Sequence, residues 1–135
     1  MPMSQSIRKL ETTLSTVHVL GPGLGRVDLV GEGIGKGIQP GAFTMVEAPG
    51  RLDCILYRPY SYFCVPDDDT VSLLVRDVGK GTHALMTAPK GTPVGILGPL
   101  GNEFPLDSYN RIWAVAGGVG AAPFGMMTHH QDLLQ

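Results

Sequence analysis

Hydrophobic and polar residues alternate in short runs along most of the first hundred positions, and glycine or proline turns separate the runs. Val17–Leu20 and Arg26–Val30 predict two strands joined by a turn at Gly21–Gly23. The segment before them, residues 1–10, is interpreted as an irregular lead-in. Short alternating strands of this kind are typical of an antiparallel barrel or sandwich. Further strands are predicted at Ala42–Ala48, Leu52–Val65, Thr70–Asp77 and Thr92–Leu97. In Thr70–Asp77, Val71, Leu73 and Val75 are predicted to face the same side.

The last quarter of the chain has a different pattern. Arg111–Ala116 is the most apolar predicted strand, Gly117–Gly120 follows it directly, and a helix is predicted to begin near Pro123. Strand, glycine turn and helix in this order are typical of the first unit of a dinucleotide-binding domain, although the order of the glycines differs from the usual G-x-G-x-x-G.

Composition places the chain among globular proteins and excludes several functions. Its 135 residues allow one domain with a core; 43% are hydrophobic and 16% charged. The formal charge of −2, with no basic run, argues against nucleic-acid binding. Cys54 and Cys64 form no Cys-x-x-Cys pair, so no metal site is expected. No apolar run is long enough for a signal peptide or membrane span, which predicts a cytoplasmic protein.

The segment Arg58-Pro59-Tyr60-Ser61 carries the strongest candidate chemistry. An arginine offers a planar fork of donors that suits pyrophosphate oxygens. Pro59 stiffens the segment, Tyr60 offers a flat ring for stacking, and Ser61 adds a short donor and acceptor. In an extended strand Arg58 and Tyr60 point to the same side, which favours a shared ligand.

A second candidate lies about twenty residues later, where Gly79-Lys80-Gly81-Thr82 precedes a helix predicted at His83–Ala88. Glycines at a helix start let a ligand approach the backbone, and the free amides attract phosphate. Thr82 is predicted either to cap the helix or to bind the anion. A plain glycine turn with an N-cap remains the alternative interpretation.

Taken in order, these segments resemble the ferredoxin–NADP reductase superfamily, and within it the electron-transfer subunits of dihydroorotate dehydrogenase. The resemblance covers roughly residues 15–125. The matching segments are Pro40–Phe43, Arg58–Ser61, Leu73–Arg76, Gly79–Thr82, Gly98–Asn102 and Gly117–Gly120.

The resemblance implies a mainly β fold in two parts. Residues 1–108 would form a six-stranded antiparallel FAD-binding barrel of the riboflavin-synthase and ferredoxin-reductase type. Residues 109–135 would form the first βα unit of an incomplete α/β domain that binds a pyridine nucleotide, NAD or NADP.

The resemblance also implies roles for individual residues. Arg58 would contact the FAD pyrophosphate, Tyr60 would stack on the flavin ring, and Ser61 would lie near the reactive nitrogen. No catalytic or metal-binding residue is assigned. The full set of implied cofactor-binding residues is Arg58, Pro59, Tyr60, Ser61, Leu74, Val75, Arg76, Gly79, Gly81, Thr82, Gly117, Gly118 and Gly120.

Two positions depart from the family pattern. Ala42 stands where family members often have glutamine, and the cysteine ligands of the family's [2Fe–2S] centre have no counterpart in residues 1–135. The incomplete second domain predicts that the chain does not oxidise NADH alone and that residues 111–135 either self-associate or are disordered.

The function implied is an FAD-binding module that passes electrons between NAD and a partner oxidoreductase subunit of the dihydroorotate dehydrogenase type. Two alternatives remain open. One is the flavin subunit of a hydrogenase or sulfide-type NAD(P) reductase. The other is a barrel without cofactor that serves as an assembly scaffold.

Overall fold

A computed structural model describes residues 6–129 of the chain. Six strands close into an antiparallel barrel in the order β1-β2-β5-β4-β3-β6, which confirms the predicted architecture. A helix, α1, connects β5 to β6. The strands are β1 (Arg8–Gly21), β2 (Leu24–Val30), β3 (Phe43–Val46), β4 (Arg58–Asp67), β5 (Thr70–Arg76) and β6 (Pro93–Leu100), and α1 is Lys80–Thr87.

The barrel interior is filled by alternate residues of its strands. Val71, Leu73 and Val75 of β5 are completely buried, which confirms that they share one face. In β3, Thr44 and Val46 face the interior, whereas Phe43 and Met45 form the half-buried outer face. The Thr44 hydroxyl donates to the carbonyl of Leu97, 3.0 Å away on β6, so this polar group is satisfied inside the barrel.

Two strand boundaries predicted from the sequence are wrong. β1 begins at Arg8, inside the predicted lead-in, because residues 8–13 pair with β6 and close the barrel. β4 begins at Arg58 rather than Leu52, because its first pair, Val46 with Arg58, lies at the end of β3. Residues 51–57 extend beyond that end and form turns, with the amide of Cys54 donating to the carbonyl of Arg51.

The predicted strand Arg111–Ala116 is also wrong. These residues are irregular and exposed in the structure. A parallel strand requires hydrogen-bonded neighbours on its edges, and residues 6–129 supply none next to this segment. Its apolar character is therefore not sufficient to make it a strand.

A helical segment after the glycine turn packs on the outside of the barrel. It consists of a 3₁₀ helix, Gly118–Phe124, followed by a short α-helix, α2 (Gly125–His129), so the helix begins before the predicted Pro123. Gly125 lies directly against Phe63 of β4, and a methyl group at Gly125 would overlap the Phe63 carbonyl. Ala122 and Met126 are buried by this packing.

None of the helices within residues 6–129 combines the length and apolar character needed to cross a bilayer.

Candidate functional site

The first turn of α1 lies against the side chain of Arg58. A Cβ atom added to Gly81 would stand 2.6 Å from Nη1 of Arg58, which is closer than two nonbonded atoms can approach. The guanidinium therefore occupies the space that any larger residue at position 81 would need. The structure thus brings together the two segments that the sequence marked separately.

The Thr82 hydroxyl organises the turn that leads into α1. It accepts hydrogen bonds from the amides of Val78, at 2.9 Å, and Gly79, at 3.1 Å, and donates to the Gly79 carbonyl at 3.0 Å. Of its two predicted roles, the structure supports capping. The amides of Lys80, Gly81 and Thr82 belong to the first helical turn, where no carbonyl within the helix can accept from them. These amides can therefore donate to an anion.

The register of β4 defines which side chains share a face. Arg58 and Tyr60 pair with the buried residues Val46 and Thr44, so Arg58 and Tyr60 lie on the same side of the strand. Pro59 and Ser61 pair with Met45 and Phe43 on the opposite, half-buried face. The register therefore agrees with the side-chain alternation predicted for this strand.

Arg58 and Tyr60 differ in their surroundings. Nη1 of Arg58 donates to the Leu56 carbonyl at 2.9 Å, which fixes the guanidinium with other donors still available. Tyr60 is half-buried and packs against the core. Burial raises the pKa of Tyr60, and the charge of Arg58 opposes this rise. The phenol consequently stays protonated near neutral pH and keeps its donor.

The predicted residues of β5 lie near the glycine turn at Gly117–Gly120. Val75 is fully buried and can contribute only its main chain to a ligand, whereas Leu74 is half-buried and Arg76 is exposed. Nη1 of Arg76 would lie 3.7 Å from a Cβ atom at Gly118, whose φ of +57° favours glycine. The predicted residues thus form two groups, one around Arg58 and one around Arg76.

The glycine turn itself is closed by one short-range contact. The Gly120 amide donates to the Gly117 carbonyl at 3.1 Å. The turn therefore forms without the strand that was predicted to precede it, and it rests on the end of β5.

An ion cluster that was not predicted from the sequence lies beside α1. Nζ of Lys80 lies 3.3 Å from Oδ2 of Asp53, and Arg51 contacts both oxygens of the same carboxylate at 2.8 and 2.6 Å. The Arg51 guanidinium holds the pKa of Asp53 well below its usual range. No local sequence signal points to this contact, because Lys80 and Asp53 are 27 positions apart and Lys80 lies before the helix predicted at His83–Ala88.

A cavity of about 610 Å³ lies in the C-terminal segment. Its lining residues all come from positions 106–128 and include Tyr109, Ile112, Trp113 and Phe124. None of them belongs to β4, β5 or α1, so this cavity is separate from the group around Arg58.

A closed six-stranded antiparallel barrel with few helices matches the FAD-binding domains of ferredoxin reductases. The cytochrome P450 reductase GcoB from Amycolatopsis superposes with a TM-score of 0.78 at 25% identity, covering 95% of this chain and 39% of that chain. Phthalate dioxygenase reductase superposes with a TM-score of 0.65 at 18% identity, covering 92% and 40%, and supports the fold alone.

Proteins of similar sequence indicate a more specific group of relatives than the fold alone does. The electron-transfer subunit of dihydroorotate dehydrogenase B (NAD(+)) from Shouchella clausii is 37% identical over 99 residues, covering 70% of this chain and 38% of the relative. The subunit with the same name from Enterococcus faecalis strain V583 is 34% identical over 115 residues, covering 82% and 43%.

The chain is therefore a homologue of these electron-transfer subunits and spans about two fifths of their length. No protein-family model matches it.

Proposed function

We propose that this chain is an FAD-binding electron-transfer module that works between NAD and a partner oxidoreductase subunit of the dihydroorotate dehydrogenase type. The observation that carries the proposal is the contact between Arg58 and the first turn of α1 at Gly81. A fixed guanidinium beside free helix amides is suited to a pyrophosphate. The names of the sequence relatives support the rest of the proposal.

The residues present fit FAD. Arg58 and the amides of Lys80, Gly81 and Thr82 would hold the pyrophosphate, with the turn at Gly79 shaped by Thr82. Tyr60 would stack on the flavin ring. Ser61 lies with Pro59 on the opposite face of β4, so it would reach the flavin through its main chain. When bound, FAD supplies the electron-transfer chemistry, whereas the protein supplies binding and orientation.

The proposed site also includes the end of β5 and the glycine turn at Gly117–Gly120. Leu74, the main chain of Val75 and Arg76 would lie beside FAD, and Gly117, Gly118 and Gly120 would receive a pyridine nucleotide.

In this proposal the chain has two parts, residues 1–108 and residues 109–135. A [2Fe–2S] centre is not assigned to any of its residues, and a cytoplasmic location remains a prediction.

A flavin titration tests the proposed function. Purified protein is expected to bind FAD more tightly than FMN, because only FAD carries the pyrophosphate that Arg58 and α1 would hold. Fluorescence quenching measures both affinities. Absence of FAD binding, or equal affinity for FMN and FAD, would contradict the proposal and favour the scaffold alternative. The hydrogenase or sulfide-type alternative differs in the partner rather than in the flavin.

The FAD-loaded chain is expected not to oxidise NADH by itself. A pyridine nucleotide binds at a crevice between parallel strands, and residues 111–116, which precede the glycine turn, form no strand. Anaerobic mixing with NADH, followed by flavin absorbance, measures this. Rapid and saturable bleaching would show a working nicotinamide site and refute the expectation.

Partner binding and self-association belong to the same proposal. Trp113 and Val115 are 91% and 88% exposed, which favours burial of residues 111–116 against another chain. The catalytic subunit is one partner, and a second copy of this chain is the other. Sedimentation of the isolated chain at increasing concentration distinguishes them, since a concentration-independent monomer excludes self-association.

A further inference from the structure

The N-terminal end of α1 is crowded with positive charge. Lys80 is the first residue of the helix, and Arg58 contacts the next residue, Gly81. A helix N-terminus carries a partial positive charge of its own and disfavours a cation in the first turn. This end of α1 therefore favours a ligand that carries more than one negative charge.

Asp53 forms an ion pair with Lys80 in the structure, but this ion pair is weak. The Lys80–Asp53 contact measures 3.3 Å, and the two side chains are 72% and 49% exposed. Exposed ion pairs of this kind contribute little, because water and salt screen them. Lys80 can leave Asp53 at small cost.

Asp53 does not depend on Lys80 for a partner. Arg51 contacts both carboxylate oxygens, at 2.8 and 2.6 Å, and both distances are shorter than the contact with Lys80. The same arginine keeps the pKa of Asp53 low, so Asp53 is ionised at neutral pH with or without Lys80. Release of Lys80 would leave no unpaired carboxylate.

We propose that Lys80 leaves Asp53 and binds the pyrophosphate when that group is held by Arg58 and the first turn of α1. In the absence of the ligand, Asp53 is the anion that pairs with Lys80. The proposal rests on the proposed FAD site and adds a binding residue to it. A pyrophosphate diester carries one negative charge on each phosphate, and Arg58 and Lys80 provide one cation for each. A monophosphate engages only one of them. The lysine stem is long and flexible enough to turn from the 51–57 loop toward its own helix.

Four proteins test the exchange in FAD titrations: the unmodified chain, Lys80→Ala, Asp53→Asn, and the double variant. Lys80→Ala is expected to weaken FAD binding by about 3- to 10-fold, the range between an exposed ion pair and a charge-assisted hydrogen bond. Asp53→Asn is expected to tighten binding by about 2- to 5-fold, because Lys80 no longer has a competing partner. The double variant is expected to bind FAD with the same affinity as Lys80→Ala, because Asp53→Asn acts through Lys80.

Lys90→Ala is the matched control, because it removes an exposed lysine that follows α1 and should leave FAD affinity unchanged. Circular dichroism and thermal unfolding check that each variant is folded. Unchanged affinity in Lys80→Ala would overturn the proposal. Weaker FAD binding in Asp53→Asn would also overturn it. Tighter binding that persists in the double variant would overturn it too, because Asp53 would then act only through its overall charge and not through Lys80.

Inorganic pyrophosphate separates this proposal from the proposed function. If the unmodified chain fails to bind FAD, the function is wrong, yet pyrophosphate can still be tested by its effect on the unfolding temperature. A larger stabilisation of the unmodified chain than of Lys80→Ala supports the exchange. Equal stabilisation of the two, or none, overturns it.

Discussion

Replacement of Arg58 by alanine is expected to weaken FAD binding by about 1.5–3 kcal/mol, the value of a hydrogen bond to a charged group. This corresponds to a loss of roughly 10- to 150-fold in affinity. The guanidinium is fixed by the Leu56 carbonyl and by contact with Gly81, so its loss removes a preorganised donor rather than a mobile surface charge. Flavin fluorescence titration measures the change.

Two further variants make the result for Arg58 specific. Arg58→Lys keeps the charge but loses the planar fork, so it should fall between the unmodified chain and Arg58→Ala. Arg8→Ala removes an exposed arginine at the start of β1 and should leave FAD affinity unchanged. Full FAD affinity in Arg58→Ala would show that the pyrophosphate is held elsewhere.

Replacement of Gly81 by alanine is expected to reduce FAD affinity nearly as much as the loss of Arg58. The new Cβ atom would lie 2.5 Å from Nε and 2.6 Å from Nη1 of Arg58, so the guanidinium must move away. The barrel should remain folded, because the atoms displaced form the end of a flexible side chain and alanine favours helix by about 1 kcal/mol over glycine. The measurement pairs FAD titration with thermal unfolding.

Gly21→Ala is the control for this substitution. Gly21 lies at the end of β1, its φ is not positive, and nothing lies within 4 Å of the position that its Cβ would take. This variant should therefore bind FAD normally. Combining Gly81→Ala with Arg58→Ala should cause no further loss, since both act on one group. Additive losses would mean that Gly81 contributes independently of the guanidinium.

The sequence predicted the parts of the barrel whose signal is local. Alternation in Thr70–Arg76 identified the buried face of β5, because period-two burial is visible within one strand. The start of β1 was missed, since its residues are mostly polar and become a strand only through pairing with β6. Arg111–Ala116 was assigned wrongly for the opposite reason, because it is apolar and has no partner strand.

The candidate site divides in the same way. Arg58 and the glycine turn Gly79–Thr82 are recognisable in short segments, and both were predicted as candidates, although the helix begins at Lys80 rather than at the predicted His83. The cluster of Lys80 and Asp53 was not, because the two residues are 27 positions apart and the loop that carries Asp53 has no regular pattern. A contact between two surface side chains leaves no periodic signal in a sequence.

The closure of the barrel by its first and last strands has a consequence for how the chain acquires its structure. β1 pairs with β6 through residues as distant as Arg8 and Gly98, so the ring cannot close until nearly the whole barrel has been synthesised. Contacts this distant along the chain require the closure of a long loop, and proteins rich in them fold slowly. Arg58 and α1 both lie between the two closing strands. Their contact joins segments that are much closer along the chain than β1 and β6, so it does not itself have to wait for the ring to close.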